Sequence, residues 1–226
     1  MQKIKITFLL FATIVLAACG EKSKPANDEA SQSTPAAKVD SSASKTVLFF
    51  GDSITAGYGL DDPSEAFPGV VKEKIDSLKL PYKVVNAGLS GETTAGGNGR
   101  VEWLLKQKVD IFILELGAND GLRGIPVNET SKNLQSIIDR VKAKYPDAKI
   151  LLLGMQVPPN MGPDYTNKFK AVFPALATKN NTALVPFLLQ GVGGVPNLNQ
   201  ADGIHPTAQG AKIVGENVWT VLKGLL

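Results

Sequence analysis

The 226-residue chain has a single histidine, His205, three positions after Asp202 in the run ADGIHP. At that spacing a carboxylate can accept a hydrogen bond from the ring within one turn, and a carboxylate that fixes the tautomer makes an imidazole a general base. Pro206 pushes His205 toward an extended backbone and out of any helix, which leaves the ring free to face a site. A base needs a proton to take. In FFGDSITAGYG, Phe49 to Gly59, an apolar run stops at Gly-Asp-Ser, and Ser53 offers a hydroxyl that becomes a nucleophile when a base takes its proton.

Acyl transfer by such a set also needs donors aimed at the oxygen that turns negative in the tetrahedral intermediate. Three are available: the backbone N–H of Ser53, that of Gly88 in NAGLSGETTAGG, and the side-chain amide of Asn119 in LELGANDGLRG. Glycine lets a backbone approach a substrate closely, and an asparagine amide donates without carrying charge. Taken singly, each residue also has a structural reading. Ser53 or Asp52 serves as a helix cap. Gly88, Gly91, Gly96 and Gly97 read as turn glycines, ANDG as a turn after a strand, and Asp202-Gly203 as a turn pair. None of these explains why all of them stand where a site is expected.

That expectation comes from the elements. Apolar runs suited to strands lie at Thr46 to Phe50, Tyr82 to Val85, Ile111 to Leu116, Ile150 to Leu153 and Ala183 to Val185. Between them, helices are expected at Phe67 to Leu78, Gly99 to Lys106, Glu129 to Tyr145, Tyr165 to Thr178 and Ala208 to Leu225. Continuous apolar strands alternating with helices imply an α/β fold of three layers, with a mostly parallel five-stranded sheet covered on both faces. In open sheets of this kind ligands bind outside the carboxyl ends of the strands. Ser53, Gly88 and Asn119 each follow or end a strand, and His205 precedes the last helix. Trp103, Leu104 and Leu105 are expected in the core, and the Pro- and Gly-rich tract Met155 to Tyr165 in the wall of a pocket.

Residue supply excludes other chemistries. One cysteine allows no intrachain disulfide and no thiolate cluster, and with a lone histidine there is no material for a zinc site built from imidazole and thiolate. The formal charge of +3 includes Lys3 and Lys5. Without them it is about +1, with no basic stripe interleaved with aromatics, so nucleic acid is not an expected partner. No cofactor is called for.

Residues 1–18 read as a signal peptide, with Lys3 and Lys5 before an apolar run, Ile6 to Leu16, that is short for a membrane span. The boundary LAAC resembles the lipobox of bacterial lipoproteins, in which the cysteine, here Cys19, becomes the lipidated first residue. Gly20 in place of an aspartate resembles outer-membrane sorting. Residues 19–44 are rich in Ser, Ala, Pro and charge and cannot bury enough apolar area to offset the entropy of ordering, so they read as a disordered tether. The expected location is the periplasmic face of the outer membrane, reached through a lipid anchor on Cys19, with a soluble periplasmic protein as the alternative.

The blocks FFGDSITAGYG, NAGLSGETTAGG, LELGANDGLRG and DGIHPTAQG resemble, in order, those of the SGNH, or GDSL, hydrolases. They are most similar to the branch of periplasmic arylesterases, acyl-CoA thioesterases and lysophospholipases. The resemblance implies a hydrolase domain over 45–226, Ser53 as nucleophile, His205 as base, Asp202 as its partner, and Ser53, Gly88 and Asn119 as oxyanion hole. It implies a small acyl ester, thioester or lipid as substrate. Asn98 stands where this branch often has Leu, and a polar residue there would alter the pocket wall. A carbohydrate O-acetyl esterase is an alternative within the chemistry. A non-catalytic flavodoxin-like binding lipoprotein is one outside it, opposed by Asp52, whose charge would repel a bound phosphate.

Overall fold

A computed structural model describes residues 44–226. The expected signal peptide, the lipidated Cys19 and all but the last residue of the tether lie outside the described residues.

Strand β1 (Lys45–Gly51), KTVLFFG, is buried from Val47 onward. It passes through Asp52 into a single-turn helix α1 (Ser53–Ala56). Then come α2 (Phe67–Ser77), β2 (Tyr82–Gly88), α3 (Thr94–Leu104) and β3 (Ile111–Glu115). The short α4 (Ala118–Leu122), α5 (Val127–Lys144), β4 (Lys149–Leu153), α6 (Pro163–Asn180), β5 (Ala183–Val185) and α7 (Ala208–Leu222) complete the order. The sheet runs β2-β1-β3-β4-β5 with every neighbouring pair parallel. From β1 the chain goes to one side for β2 and then to the other for β3. That reversal opens a crevice at the carboxyl ends of the three strands.

Alternation along β1 shows how the layers are built. Phe49 packs edge-on against Phe67 of α2, with ring centroids 5.6 Å apart, whereas Phe50 packs on Phe112 at 5.5 Å and lies under Arg100 of α3. Successive strand residues point to opposite faces, so α2 and α3 cover opposite sides. Helix α7 pairs with α2, and α5 and α6 continue the layer begun by α3. On α5, the residues Leu134, Ile137, Ile138 and Val141 are buried, the face that its periodicity marks as apolar.

Helix α3 departs from the expected span. It begins at Thr94, capped by the Thr93 hydroxyl on the Gly96 N–H at 3.3 Å, so Gly96 and Gly97 are helical and do not form a turn. Glycine at 97 has a packing reason: a Cβ there would overlap Leu116 and press on the Phe50 ring. With that phase Thr94, Gly97 and Val101 face inward, and Trp103 faces out at 67% exposure, against the expectation that it is core. Leu105 is buried as expected. Asn98 likewise turns toward α5, where its amide meets Asn133 Oδ1 at 3.5 Å, and takes no part in the pocket wall. ANDG is not a plain turn but the first part of α4.

Candidate active site

The register of the sheet sets the site. Gly51 at the end of β1 lies opposite Gly88 on β2 and Glu115 on β3, so the loops leaving these three positions share one rim. Ser53 opens α1, where its N–H has no acceptor within the helix. The cap is Asp52 and not Ser53: its Oδ1 accepts the Ile54 N–H at 3.1 Å. Ser53 Oγ is thereby left for another partner, and it lies 2.8 Å from His205 Nε2. His205 Nδ1 lies 2.6 Å from Asp202 Oδ2.

The loop that carries this pair is held in three ways. Asp202 Oδ1 accepts the backbone N–H groups of Ile204 and His205 at 3.0 and 3.1 Å, which fixes the turn. Gln200 N–H donates to the His205 carbonyl at 2.7 Å, and Asn199 bridges antiparallel to Pro206. The Gln200 amide donates to the carbonyls of Tyr58, at 2.7 Å, and Pro206, at 3.0 Å, tying the histidine loop to the segment just past Ser53. The Tyr58 ring leans on His205, centroids 4.7 Å apart. Partial burial pushes the Asp202 carboxyl up, but the hydrogen bonds from the His205 ring and the two backbone N–H groups outweigh it and hold Asp202 at about 2. Asp202 is therefore an anion at any pH where the enzyme could work.

Gly88 and Asn119 flank Ser53 from the neighbouring strands. A Cβ on Gly88 would overlap the backbone nitrogen of Ala56, so only glycine lets β2 end against α1. The Gly88 N–H donates to Asn86 Oδ1 at 2.9 Å, and the Asn86 amide donates to the Thr55 carbonyl at 2.8 Å. Asn119 Nδ2 lies 3.0 Å from the Glu92 carbonyl and 3.2 Å from Asp52 Oδ2. The next residue, Asp120, is fully buried, accepting from the Thr94 N–H at 2.8 Å, from the Thr94 hydroxyl, and from Thr130 Oγ1 at 3.3 Å. It anchors α4, and Asn119 with it.

Beneath Ser53 lie two buried carboxyls, Asp52 and Glu115. Glu115 Oε2 accepts the Asp52 N–H at 3.0 Å and the Thr55 hydroxyl at 2.8 Å. Burial first, and the charge of Glu115 second, push the Asp52 carboxyl well above the usual range. Burial also raises Glu115, while the Thr55 hydroxyl and the Asp52 N–H, both donating to it, act in the opposite direction.

Ser53 and His205 stand in the wall of a cavity of about 680 Å³. Its other walls are mainly apolar, from Leu122, Met155, Val157, Phe187, Leu189 and Ile204, and include the expected tract after β4. Sequence reasoning misses Glu115, Gln200 and the role of Tyr58. Only the Gly51–Glu115 register, a product of strand pairing, brings the first of these under the serine.

Comparison with known proteins agrees with this architecture. Residues 49–213 match the model of the GDSL-like Lipase/Acylhydrolase family. The chain is 45% identical over 185 residues to "Esterase TesA" of Pseudomonas aeruginosa, covering 81% of this chain and 90% of that one. It is 38% identical over 175 residues to "Thioesterase 1/protease 1/lysophospholipase L1" of Escherichia coli K12, covering 77% and 81%. A solved structure titled "Crystal Structure of TesA" superposes with a TM-score of 0.77 at 45% identity, over 80% of this chain and all of that one. With its strand-end motifs on the expected sheet and nearly three quarters of its length matched, the chain belongs to the GDSL-like lipase/acylhydrolase family and is a hydrolase of ester bonds.

Proposed function

We propose that the protein is a serine esterase that cleaves carboxylic esters or thioesters of apolar acyl chains through an acyl-enzyme on Ser53. The observation that carries this is the unbroken series Ser53 Oγ, His205, Asp202, with separations of 2.8 and 2.6 Å, at the wall of an apolar cavity. His205 Nε2 takes the Ser53 proton as Oγ attacks the acyl carbon, and Asp202, ionised, holds the Nδ1–H tautomer and stabilises the imidazolium. The Ser53 N–H, the Gly88 N–H and the Asn119 amide meet the oxyanion. To do so the last two exchange Asn86 and Asp52 for the substrate oxygen, a tightening expected on passing to the transition state. His205 then protonates the departing alcohol or thiol, and water repeats the sequence to release the acid. The apolar walls support acyl chains longer than acetyl, which favours this reading over carbohydrate O-acetyl ester cleavage. The names of the relatives, esterase and thioesterase/lysophospholipase, support the same range. Export, with a lipid anchor on Cys19, rests on the leader and the LAAC boundary alone.

The test is hydrolysis of p-nitrophenyl esters from acetyl to palmitoyl by the purified protein beside Ser53→Ala and His205→Ala. Both variants are expected to lose roughly a thousandfold or more in kcat. A protein silent on every chain length, or variants as active as the parent, would overturn the proposal.

A further inference from the structure

Arg100 is a cation whose partners lie on the ends of β1 and β2 and in the loop that follows β2. From α3 it reaches under the sheet edge, with its guanidinium 4.2 Å from the Phe50 ring. Its Nε and Nη2 grip the Glu92 carboxylate, each at 2.5 Å. The same Nη2 donates to the carbonyl of Ala87 at 2.9 Å and to that of Gly51 at 3.3 Å. The Glu92 side chain is 3% exposed and that of Arg100 is 23%, so the pair is largely removed from water. A buried ion pair is weak evidence for a stabilising role, because desolvation offsets the attraction. Its placement points to something else.

The Ala87 carbonyl and the Gly88 N–H are the two ends of one peptide group. A cation on the carbonyl fixes the plane of that group and polarises it, which strengthens the N–H as a donor. The other carbonyl, Gly51, closes the strand that leads into Ser53. The carboxylate partner acts on the third component, because the Glu92 backbone carbonyl accepts from Asn119 Nδ2 at 3.0 Å and so sets how that amide is turned. A planar fork with fixed donor directions can hold all of these together, whereas a lysine ammonium cannot.

We propose that Arg100, locked by Glu92, is a positioning residue for the oxyanion hole, aligning the Gly88 N–H and the Asn119 amide while touching no substrate. The proposal rests on the reading of Gly88 and Asn119 as oxyanion donors. It assigns Arg100 an effect on the transition state that substrate binding does not share, since the acyl chain lies in the cavity wall and not on Arg100.

The experiment compares Arg100→Ala, Arg100→Lys, Glu92→Gln and Asn119→Ala in the full chain. It reads kcat and KM on p-nitrophenyl butyrate, and inhibition by an alkyl boronic acid, which forms a tetrahedral adduct with an active-site serine. Arg100→Ala is expected to lower kcat on the order of a hundredfold, as loss of one oxyanion donor does, with KM changed by less than about threefold. Boronic acid affinity should fall in parallel with kcat. Added guanidinium should restore activity to Arg100→Ala and not to Arg100→Lys. Should Arg100→Ala fail to fold, Arg100→Lys decides: folded, with kcat and boronate affinity lowered together, it supports the proposal. Folded Arg100 variants that keep both overturn it while leaving the oxyanion hole standing, provided Asn119→Ala is impaired. Loss that merely tracks the unfolded fraction, with boronate affinity intact, also overturns it. If Asn119→Ala is as active as the parent, the underlying reading of the donors is what fails.

Discussion

The two halves of the site are built differently. Ser53, Gly88 and Asn119 stand on or just beyond the ends of β1, β2 and β3, over buried polar groups: Asp52 with Glu115, Glu92 with Arg100, and Asp120 with its two threonines. His205 and Asp202 stand on a loop, with side-chain exposures of 15% and 38%, held by an aspartate-centred turn and the Gln200 amide. The half proposed to hold the nucleophile and oxyanion donors is tied to the sheet, since Gly88 ends, and Ser53 and Asn119 closely follow, paired strands. The half proposed to hold the base is positioned by a few hydrogen bonds at the surface. The contrast teaches where precision would reside in the proposed mechanism: the atoms that meet developing charge are set by the core, and the group that moves a proton by a surface turn.

Substitutions sharpen that contrast, beginning with the strongest. Asp202→Asn keeps the shape of the turn but lets the ring adopt the wrong tautomer, and kcat is expected to fall roughly a thousandfold with little change in thermal midpoint. A change below tenfold would show that the turn, and not the charge, holds His205. On the core side, Glu115→Ala strands the Asp52 N–H and the Thr55 hydroxyl and opens a cavity, for a loss of about 2–5 kcal/mol in denaturant titrations. Equal stability would mean that the buried carboxyl is dispensable.

The same pair gives a pH signature. Burial and the neighbouring Glu115 raise the Asp52 carboxyl, so folding takes up a proton between its ordinary and its raised value. The stability this lends is complete below the ordinary carboxylate range and declines as pH rises through the raised value. Stability from urea titrations should therefore fall as pH rises above the ordinary carboxylate range, with a slope of at most about 1.4 kcal/mol per pH unit for one proton. Glu115→Gln removes the charge that helps to hold the proton and is expected to flatten the slope. A parent protein with a flat profile would refute the raised Asp52 carboxyl. Smaller again, Gln200→Ala releases the histidine loop from the Tyr58 and Pro206 carbonyls, and about a tenfold loss in kcat is expected for a stability change near 1 kcal/mol. Trp103→Ala, at the exposed position, should change stability by less than about 0.5 kcal/mol and leave activity intact.

The sequence makes the first half of this picture readable and hides much of the support. The first three strand ends, read at Phe50, Val85 and Leu116 and observed at Gly51, Gly88 and Glu115, are legible to within three residues because buried parallel strands are continuous apolar runs. The Asp202 to His205 spacing is legible because it is local. Trp103 is misread because three glycines within α3 mask its first turns, and with them the inward face marked by Thr94, Gly97 and Val101, from which Trp103 points away. Glu115 and Arg100 leave no local trace. One lies in an apolar strand and the other on a helix whose charge pattern suggests a solvated face, and both acquire their roles from strand register and from the packing of α3 on Phe50.

The central claim is that Ser53 is the nucleophile and that His205 activates it. The most direct measurement is the intact mass and peptide map of the protein after a short exposure to an alkyl fluorophosphonate, run with Ser53→Ala and His205→Ala in parallel. One adduct on the peptide containing Ser53, absent in Ser53→Ala and at least about a hundredfold slower in His205→Ala, is the predicted result. An unmodified protein, or an adduct on another residue that survives Ser53→Ala, would contradict it.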